Sequence, residues 1–350
     1  MSLNSSKRIT SIDALRAFAL FGILMVHVAQ LYNFYNPSID FGYYSAGDEH
    51  LRQGLLTVFE DRCRTIFCIL FGVSFFIIMR NAAYTTLRFC WRCVVLMFFG
   101  MINIEFYNSD FMLCYGIVGV MIAVLPLHRL KPWLLFLIAA LLYSQQLVSQ
   151  LDYTAYVFPD ANYLTRHTAH TTLHEYLSYS YMASLIENLR MFLPGISVTL
   201  SYFVFGYALG RSGFIERIDE LCNGRNVLIF AALSIVMRIV YHIFGGAFWS
   251  VMTLSDSIFY SILFIFCTKF FPQWLVKSLS CYGRLGLTNY SVQNICGPML
   301  MIVCALPFQM QFCWVLLGAF VFYIAQALFS ILWLNHHSHG PWESLWRKLV

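Results

Sequence analysis

Long apolar runs alternate with short polar segments along the whole chain. Ten of these runs reach or approach the length that an α-helix needs to cross about 30 Å of hydrocarbon, and each predicts a membrane span. The predicted spans are 14–34, 65–80, 89–107, 111–127, 132–149, 190–210, 226–244, 252–271, 285–305 and 312–334. The pattern therefore predicts an all-α, polytopic membrane helix bundle of about ten transmembrane helices.

The composition excludes a soluble domain. Hydrophobic residues make up 59% of the chain and charged residues 11%, whereas soluble domains carry about 25% charged residues. The first run does not resemble a cleavable signal peptide, because Arg16 interrupts it and no small-residue cleavage site follows. The bilayer is therefore the first expected partner of this protein.

The distribution of Lys and Arg predicts the orientation in the membrane. If the amino terminus is cytoplasmic, the outer segments hold only Arg52, Arg166 and Arg190, apart from Arg62 and Arg64 at the outer end of the second span, and the remaining loop cations lie inside. The net charge of +5 then reflects topology and gives no support to nucleic-acid binding. We expect both termini to be cytoplasmic and most acids to lie outside, namely Asp40, Asp48, Glu49, Asp110, Asp152, Asp160 and Glu175.

The chain is predicted to form a single integral membrane domain over residues 1–350. A five-span half (14–149) precedes an outer loop (150–189) and a carboxy-terminal half (190–350). The loop is aromatic and could cover a site that opens outward. Its three histidines have spacings used in zinc sites, but an interfacial polar face explains them as well and no metal is expected; they are His167, His170 and His174.

The first span carries Asp13, Arg16 and His27. A charged side chain near the centre of a membrane helix costs about 2.5–3.5 kcal/mol on insertion scales and usually marks a functional site. At about 100° per residue the three side chains fall within roughly 60° of one another, and about 16 Å separates Arg16 from His27. One helix face thus combines an ion pair near one membrane surface with an imidazole about half a bilayer deeper.

Two other clusters are candidate substrate-binding groups. Arg62 and Arg64 precede the second span; they could line a site or pair with Glu60, Asp61 or Glu105, and a solvated helix start is the alternative. In the ninth span Asn289 and Gln293 lie four residues apart on one face, where hydrogen bonding between helices is the alternative. Arg284, just before this span, could meet an anionic ligand on the cytoplasmic side. These candidates are Arg62, Arg64, Asn289 and Gln293 for the substrate and Arg284 for a cofactor.

Several segments resemble the YeiB-like family of bacterial multi-pass membrane proteins with an uncharacterised domain. They run from end to end of the chain in the family's order. The segments are RITSIDALRAFALFGIL (8–24), TIFCILFG (65–72), CYGIVG (114–119), FGYALGRSG (205–213), YGRLGLTNYSVQN (282–294) and GPWESLWR (340–347).

This resemblance implies a fold similar to two groups of membrane acyltransferases, the heparan glucosaminide N-acetyltransferases and the type-3 O-acyltransferases. The latter carry Asp-x-x-Arg followed, eleven residues after the Arg, by a His essential for transfer. Asp13, Arg16 and His27 match that spacing, whereas YeiB-like relatives often carry Asn in place of His27. The resemblance implies that His27, Arg16 and Asp13 are catalytic, that acyl-CoA is the donor, and that the protein lies in the bacterial inner membrane. Arg16 and Arg284, which are predicted to lie near the cytoplasmic surface, are the expected acyl-CoA ligands.

The leading hypothesis is an acyltransferase that moves an acyl group from cytoplasmic acyl-CoA to an outward-facing sugar or glycan. The rival hypothesis is a transporter or flippase, since Asp13, Arg16, Arg62, Arg64 and Arg238 could line a translocation path. Transporters of this kind contain broken helices in two related halves. Pro194-Gly195 and Gly297-Pro298 are candidate breaks, but the sequence shows no internal symmetry. A third hypothesis is a non-catalytic partner in envelope glycan assembly. The oligomeric state, the acyl group and the acceptor stay open.

Overall fold

Every regular element in the described part of this computed structural model is a helix. The described residues are 10–35, 46–81, 84–107, 109–151, 185–186, 188–189, 192–193, 195–305 and 310–350. Within these ranges the prediction of an all-α chain is confirmed. The α-helices, in chain order, are α1 (Thr10–Tyr35), α2 (Ala46–Phe59), α3 (Arg62–Met79), α4 (Thr86–Phe106), α5 (Met112–Val124), α6 (Pro132–Leu151), α7 (Ile196–Arg211), α8 (Ile218–Leu221), α9 (Gly224–Phe244), α10 (Trp249–Thr268), α11 (Gln273–Arg284), α12 (Gly286–Leu300), α13 (Phe312–His336) and α14 (Pro341–Leu349).

Each predicted span overlaps one of these helices, although the helices differ in length. Among the described residues six segments are long and apolar enough to cross a membrane, namely Thr10–Tyr32, Gly47–Met79, Thr86–Phe106, Gly224–Phe244, Trp249–Thr268 and Phe312–His336. α7 and α12 have only 16 and 15 residues. The multi-pass membrane character is thus confirmed, while ten spans and cytoplasmic termini stay predictions. The loop histidines at 167, 170 and 174 lie outside the described residues.

α1 lies at the centre of the bundle. It contacts α2, α3, α10, α11, α12 and α13, and 83% of its apolar stretch is buried. α9 lies at the surface, with 6% of its apolar stretch buried. One hydrophobic core includes residues of both predicted halves, from Ala17 on α1 to Tyr290 on α12. The polar groups of α1 therefore face protein rather than lipid.

A glycine allows α1 and α11 to approach closely. A Cβ atom at Gly283 would overlap the backbone carbonyl oxygen of Asp13, and small residues permit such backbone contacts between membrane helices. α11 was not expected as an element, since it falls in a predicted cytoplasmic loop. Its packing brings Arg284 to the same end of the bundle as Asp13.

The helical conformation is interrupted between α2 and α3. The sequence predicts only an outer loop followed by a span in this region. Asp61 lies at the break with φ 59°, a value uncommon for residues other than glycine. Gly22 of α1 faces this point, since a Cβ there would meet the side chains of Phe59 and Cys63. Irregular backbone at membrane depth is tolerated where protein or a cavity surrounds it. The break therefore lies against the central helix.

A glutamate of the carboxy-terminal helix α14 caps the amino-terminal end of α12. The Glu343 carboxylate accepts hydrogen bonds from the backbone N–H groups of Leu287 (2.8 Å) and Thr288 (3.1 Å) and from the Thr288 hydroxyl. These N–H groups are among those that a helix leaves unpaired at its start, where negative charge is favourable. Trp346 also donates to the Arg92 carbonyl at 2.8 Å, which fixes α14 on α4.

Candidate functional site

Arg16 and Asp13 form an ion pair within the first turns of α1. The Arg16 guanidinium also donates through Nη2 to the hydroxyl of Ser74 on α3 at 2.7 Å. Asp13 is 2% exposed, whereas the Arg16 side chain is 21% exposed. The pair is therefore oriented by a second helix, and the guanidinium keeps some access to its surroundings. We call this region the Arg16 end of the bundle.

Arg284 lies at the Arg16 end because Gly283 packs against the backbone of Asp13. Its Nη2 donates to the carbonyl of Ser338 at 3.2 Å, while its buried Nε has no hydrogen-bond partner in the described part of the chain. Arg16 and Arg284 thus belong to the same end of the bundle. The cofactor role of Arg16 and Arg284 stays a prediction.

His27 is buried among aromatic and amide side chains at the other end of α1. Its ring centroid lies 4.5 Å from that of Tyr107 and 6.2 Å from that of Tyr290, and the side chain of Asn294 interacts with the imidazole. The residue is 6% exposed. We call this region the His27 end; it combines groups from α1, α12 and the connection between α4 and α5.

Asp110 is the residue of this site that the sequence analysis missed. It was assigned to the acids of the outer segments, but it is completely buried. The Asn294 amide donates to its Oδ1 at 3.0 Å, and Asn188 donates to its backbone carbonyl at 2.9 Å. Asp110 lies between α4 and α5, outside both helices. The one sequence feature that could have indicated its burial is its position directly after a predicted span. Desolvation raises the pKa of Asp110 to about 7.

A second polar chain reaches the His27 end from the break between α2 and α3. The Tyr107 hydroxyl donates to Oε1 of Gln30 at 3.0 Å, and Gln30 in turn interacts with Glu60. The same tyrosine ring contacts His27. Phenol and amide groups thus lie beside the imidazole, and a carboxyl group is linked to them through Gln30.

Arg62 and Arg64 point to different places, so the structure does not bring both into one site. Arg64 pairs with Asp61 at 2.8 Å and lies over the ring of Phe111, 4.8 Å from its centroid. The backbone N–H of Phe111 donates a hydrogen bond to the hydroxyl of Tyr290, and the Tyr290 ring contacts His27. Arg64 therefore belongs to the His27 end, and its pairing with Asp61 is one of those proposed from the sequence.

Arg62 makes its ion pair elsewhere, with Asp256 on α10. The Nε–Oδ2 distance is 3.2 Å, and both side chains are 0% exposed. None of the three partners considered from the sequence is Asp256, because the two residues are 194 positions apart and no local pattern connects them. The role of Arg62 in substrate binding stays a prediction.

Asn289 and Gln293 lie within a buried network that joins α11, α12 and α13. Gln293 donates through Nε2 to the Tyr282 hydroxyl (2.7 Å) and to Gln326 (3.2 Å). Asn289 donates to the Tyr282 carbonyl at 3.0 Å and to Ser330 at 3.1 Å. These bonds support the alternative of hydrogen bonding between helices. Substrate binding by the two residues stays a prediction.

The fold and these two sites define an integral membrane protein with a polar site at each end of a buried central helix. Residues 8–172 match the family model described as "Heparan-alpha-glucosaminide N-acetyltransferase, catalytic". Residues 209–350 match the model described as "Protein of unknown function (DUF418)". The first match contains Asp13, Arg16, His27 and Asp110, and the second contains Asn294. Both matched segments therefore contribute to the His27 end.

The chain is a distant, full-length homologue of YeiB-like proteins, which confirms the predicted resemblance. It is 25% identical to the uncharacterized protein YeiB of Escherichia coli (strain K12), over 98% of this chain and 96% of that protein. It is 24% identical to the uncharacterized protein YxaH of Bacillus subtilis (strain 168), over 98% and 94%. An uncharacterized 39.9 kDa protein from the amylase 3' region of Bacillus acidopullulyticus is 23% identical over 98% and 94%. No solved structure matches.

Proposed function

We propose that this protein is a bacterial inner-membrane acyltransferase that moves an acyl group from cytoplasmic acyl-CoA to a sugar or glycan reached from outside. The observation that carries the proposal is His27, an imidazole buried between Tyr107 and Asn294 on the same central helix as the Asp13–Arg16 pair. The acetyltransferase family match over residues 8–172 supports it, because that segment contains all three residues.

His27 is the group that the chemistry requires. In a neutral imidazole one nitrogen donates a hydrogen bond and the other carries a lone pair. The Asn294 carbonyl oxygen has no hydrogen-bond partner among the described residues and is therefore available to accept the imidazole N–H. The second nitrogen is then free to take a proton from the acceptor hydroxyl or amine, or to accept the acyl group transiently. The Asn294 amide group itself donates to Asp110, so a second side chain holds the amide that lies beside the imidazole.

The donor would enter at the Arg16 end. Guanidinium groups bind phosphate through charge-assisted hydrogen bonds, and Arg16 and Arg284 offer two of them. The separation of about 16 Å between Arg16 and His27 is comparable with an extended pantetheine arm. Leu20 and Leu24, which lie between them on α1, are 0% and 2% exposed. The helices around α1 therefore have to part when the donor binds.

Binding of acetyl-CoA to purified protein tests this proposal without knowledge of the acceptor. Acetyl-CoA should raise the melting temperature of the wild type, and Arg16→Gln should remove most of that increase. Arg80→Gln is a matched control, because Arg80 forms a solvent-exposed pair with Glu216. The proposal fails if acetyl-CoA stabilises none of the proteins, or stabilises Arg16→Gln as much as the wild type.

A transporter or flippase is the second candidate function, and the irregular backbone favours it. Pro298 lies inside α12, and a π-helix (Met301–Ala305) follows that helix; the break at Asp61 is a second interruption. Substrate sites of transporters are often formed by such discontinuous helices. Flux of a glycan-linked substrate into protein-containing liposomes without acyl-CoA would support transport, and flux that is absent without acyl-CoA would count against it.

A further inference from the structure

A buried charge cluster joins three helices at a distance from His27. Asp256 on α10 receives hydrogen bonds from Arg62 on α3 (3.2 Å) and Arg238 on α9 (2.8 Å), both to the same oxygen, Oδ2. Its other oxygen accepts from the hydroxyl of Ser234 on α9. We call these four residues the Asp256 cluster. Both oxygens of the carboxylate are therefore occupied.

The Asp256 cluster carries more positive than negative charge. Two guanidinium groups face one carboxylate. Tyr260 accepts from Arg238 at 3.5 Å, and the Trp249 ring lies 4.9 Å from the Arg62 guanidinium carbon. Arg62 also donates through Nη1 to the Glu60 carbonyl at 3.0 Å and interacts electrostatically with the Glu60 carboxyl group, whereas Arg238 pairs, in the described part of the chain, with only the shared carboxylate of Asp256. The Nη2 of the fully buried Arg62 has no hydrogen-bond partner among the described residues. An uncompensated charge is costly in a low-dielectric surrounding. An anion beside Arg238 would balance the second guanidinium group of the cluster.

The cluster is accessible from the lipid side rather than from the centre of the bundle. The Arg238 side chain is 31% exposed, and it lies on α9, the helix with the least buried apolar surface of the six long spans. Its neighbours on α9, Ile235 and Ile239, are 59% and 52% exposed. A ligand that reaches Arg238 from the lipid-facing surface of α9, within the plane of the bilayer, is a lipid.

We infer that the Asp256 cluster binds the phosphate of an anionic membrane lipid between α9 and α10. Arg238 contacts the phosphate directly, and the positive charge of the buried Arg62, which bonds to the same carboxylate oxygen, adds to the attraction. Guanidinium groups are suited to phosphate by charge and by geometry. This lipid site does not depend on the acyltransferase function.

Lipid retention by the purified, delipidated protein tests the inference. Native mass spectrometry would count bound phosphatidylglycerol, with diacylglycerol of the same chains as the neutral comparison. Arg238→Gln should weaken phosphatidylglycerol retention about tenfold, since a charge-assisted hydrogen bond is lost, and it leaves the Arg62–Asp256 pair balanced. Arg225→Gln is the matched control, because Arg225 is an exposed residue at the other end of α9.

Equal retention by the wild type and Arg238→Gln would overturn the inference, as would equal binding of diacylglycerol and phosphatidylglycerol. Stabilisation of the wild type by inorganic phosphate to the same degree would overturn the assignment to a lipid. If Arg238→Gln does not fold, photocrosslinking of lipid to the wild-type protein tests the inference instead. Phosphatidylglycerol with a photoreactive headgroup should then crosslink to α9 or α10, and crosslinks confined to other helices would contradict the site.

Discussion

Asn294 and Asp110 are 184 positions apart, yet the amide of one donates a hydrogen bond to the carboxylate of the other at 3.0 Å. This contact joins the two segments that match different family models. It also places a carboxyl group one side chain away from His27, with which Asn294 interacts. The His27 end is thus assembled from both halves of the chain, and its properties should depend on Asp110.

Substitution of Asp110 should change how stability depends on pH. Burial raises the pKa of this carboxyl group to about 7, whereas an unfolded Asp titrates near 3.9. Between about pH 4 and pH 7 the folded protein keeps a proton that the unfolded chain loses, so stability should fall as the pH rises through this range. In Asp110→Asn the melting temperature should therefore change less between pH 4 and pH 7 than in the wild type.

The comparison needs a carboxylate that is not buried. Asp219 is exposed at the start of α8, so Asp219→Asn should keep the pH dependence of the wild type. Thermal unfolding in detergent, followed at several pH values, gives the three profiles. If Asp110→Asn loses stability between pH 4 and pH 7 as steeply as the wild type, the account of this carboxyl group is wrong.

Gly283→Ala should destabilise the protein. Its Cβ would overlap the Asp13 carbonyl oxygen, so α1 and α11 would have to separate, and overpacking of this kind costs about 1–3 kcal/mol. Gly318→Ala on α13 is the control, because a Cβ there meets nothing within 4 Å. A lower melting temperature for Gly283→Ala alone is expected; equal melting temperatures would show that the helices do not meet closely.

Loss of the Glu343 charge should release the carboxy-terminal helix. Glu343→Gln weakens charge-assisted hydrogen bonds to the start of α12, and each such bond contributes about 1.5–3 kcal/mol. Limited proteolysis should then cut the chain within α14 faster than in the wild type. Glu216→Gln removes only an exposed ion pair, which contributes about 0–1 kcal/mol, and should leave the cleavage rate unchanged.

Local patterns were sufficient to predict the helices but not the contacts between distant residues. The first apolar run predicted the central helix within a few residues, since 14–34 became Thr10–Tyr35. Length and hydropathy could not reveal α11 or α14, which are short amphipathic helices beside the apolar bundle. Their positions depend on tertiary contacts, such as that of Gly283 with Asp13.

The site was predicted only in part for the same reason. The charged residues of α1 could be recognised because polar groups are costly in an apolar run. Asp110 could not, because an acid between two spans is equally compatible with solvent exposure. Similarly, the pairing of Arg62 with Asp256 depends on how α3 and α10 pack, which no spacing within the chain determines.

Replacement of His27 tests the central claim most directly. Membrane vesicles with the cytoplasmic face outward would receive radiolabelled acetyl-CoA, and label would be counted in the envelope glycan fraction. His242 on the surface helix α9 is exposed, so His242→Ala is the matched control. The account predicts that the wild type and His242→Ala transfer label, whereas a correctly folded His27→Ala does not. Transfer by His27→Ala at the wild-type rate would contradict it.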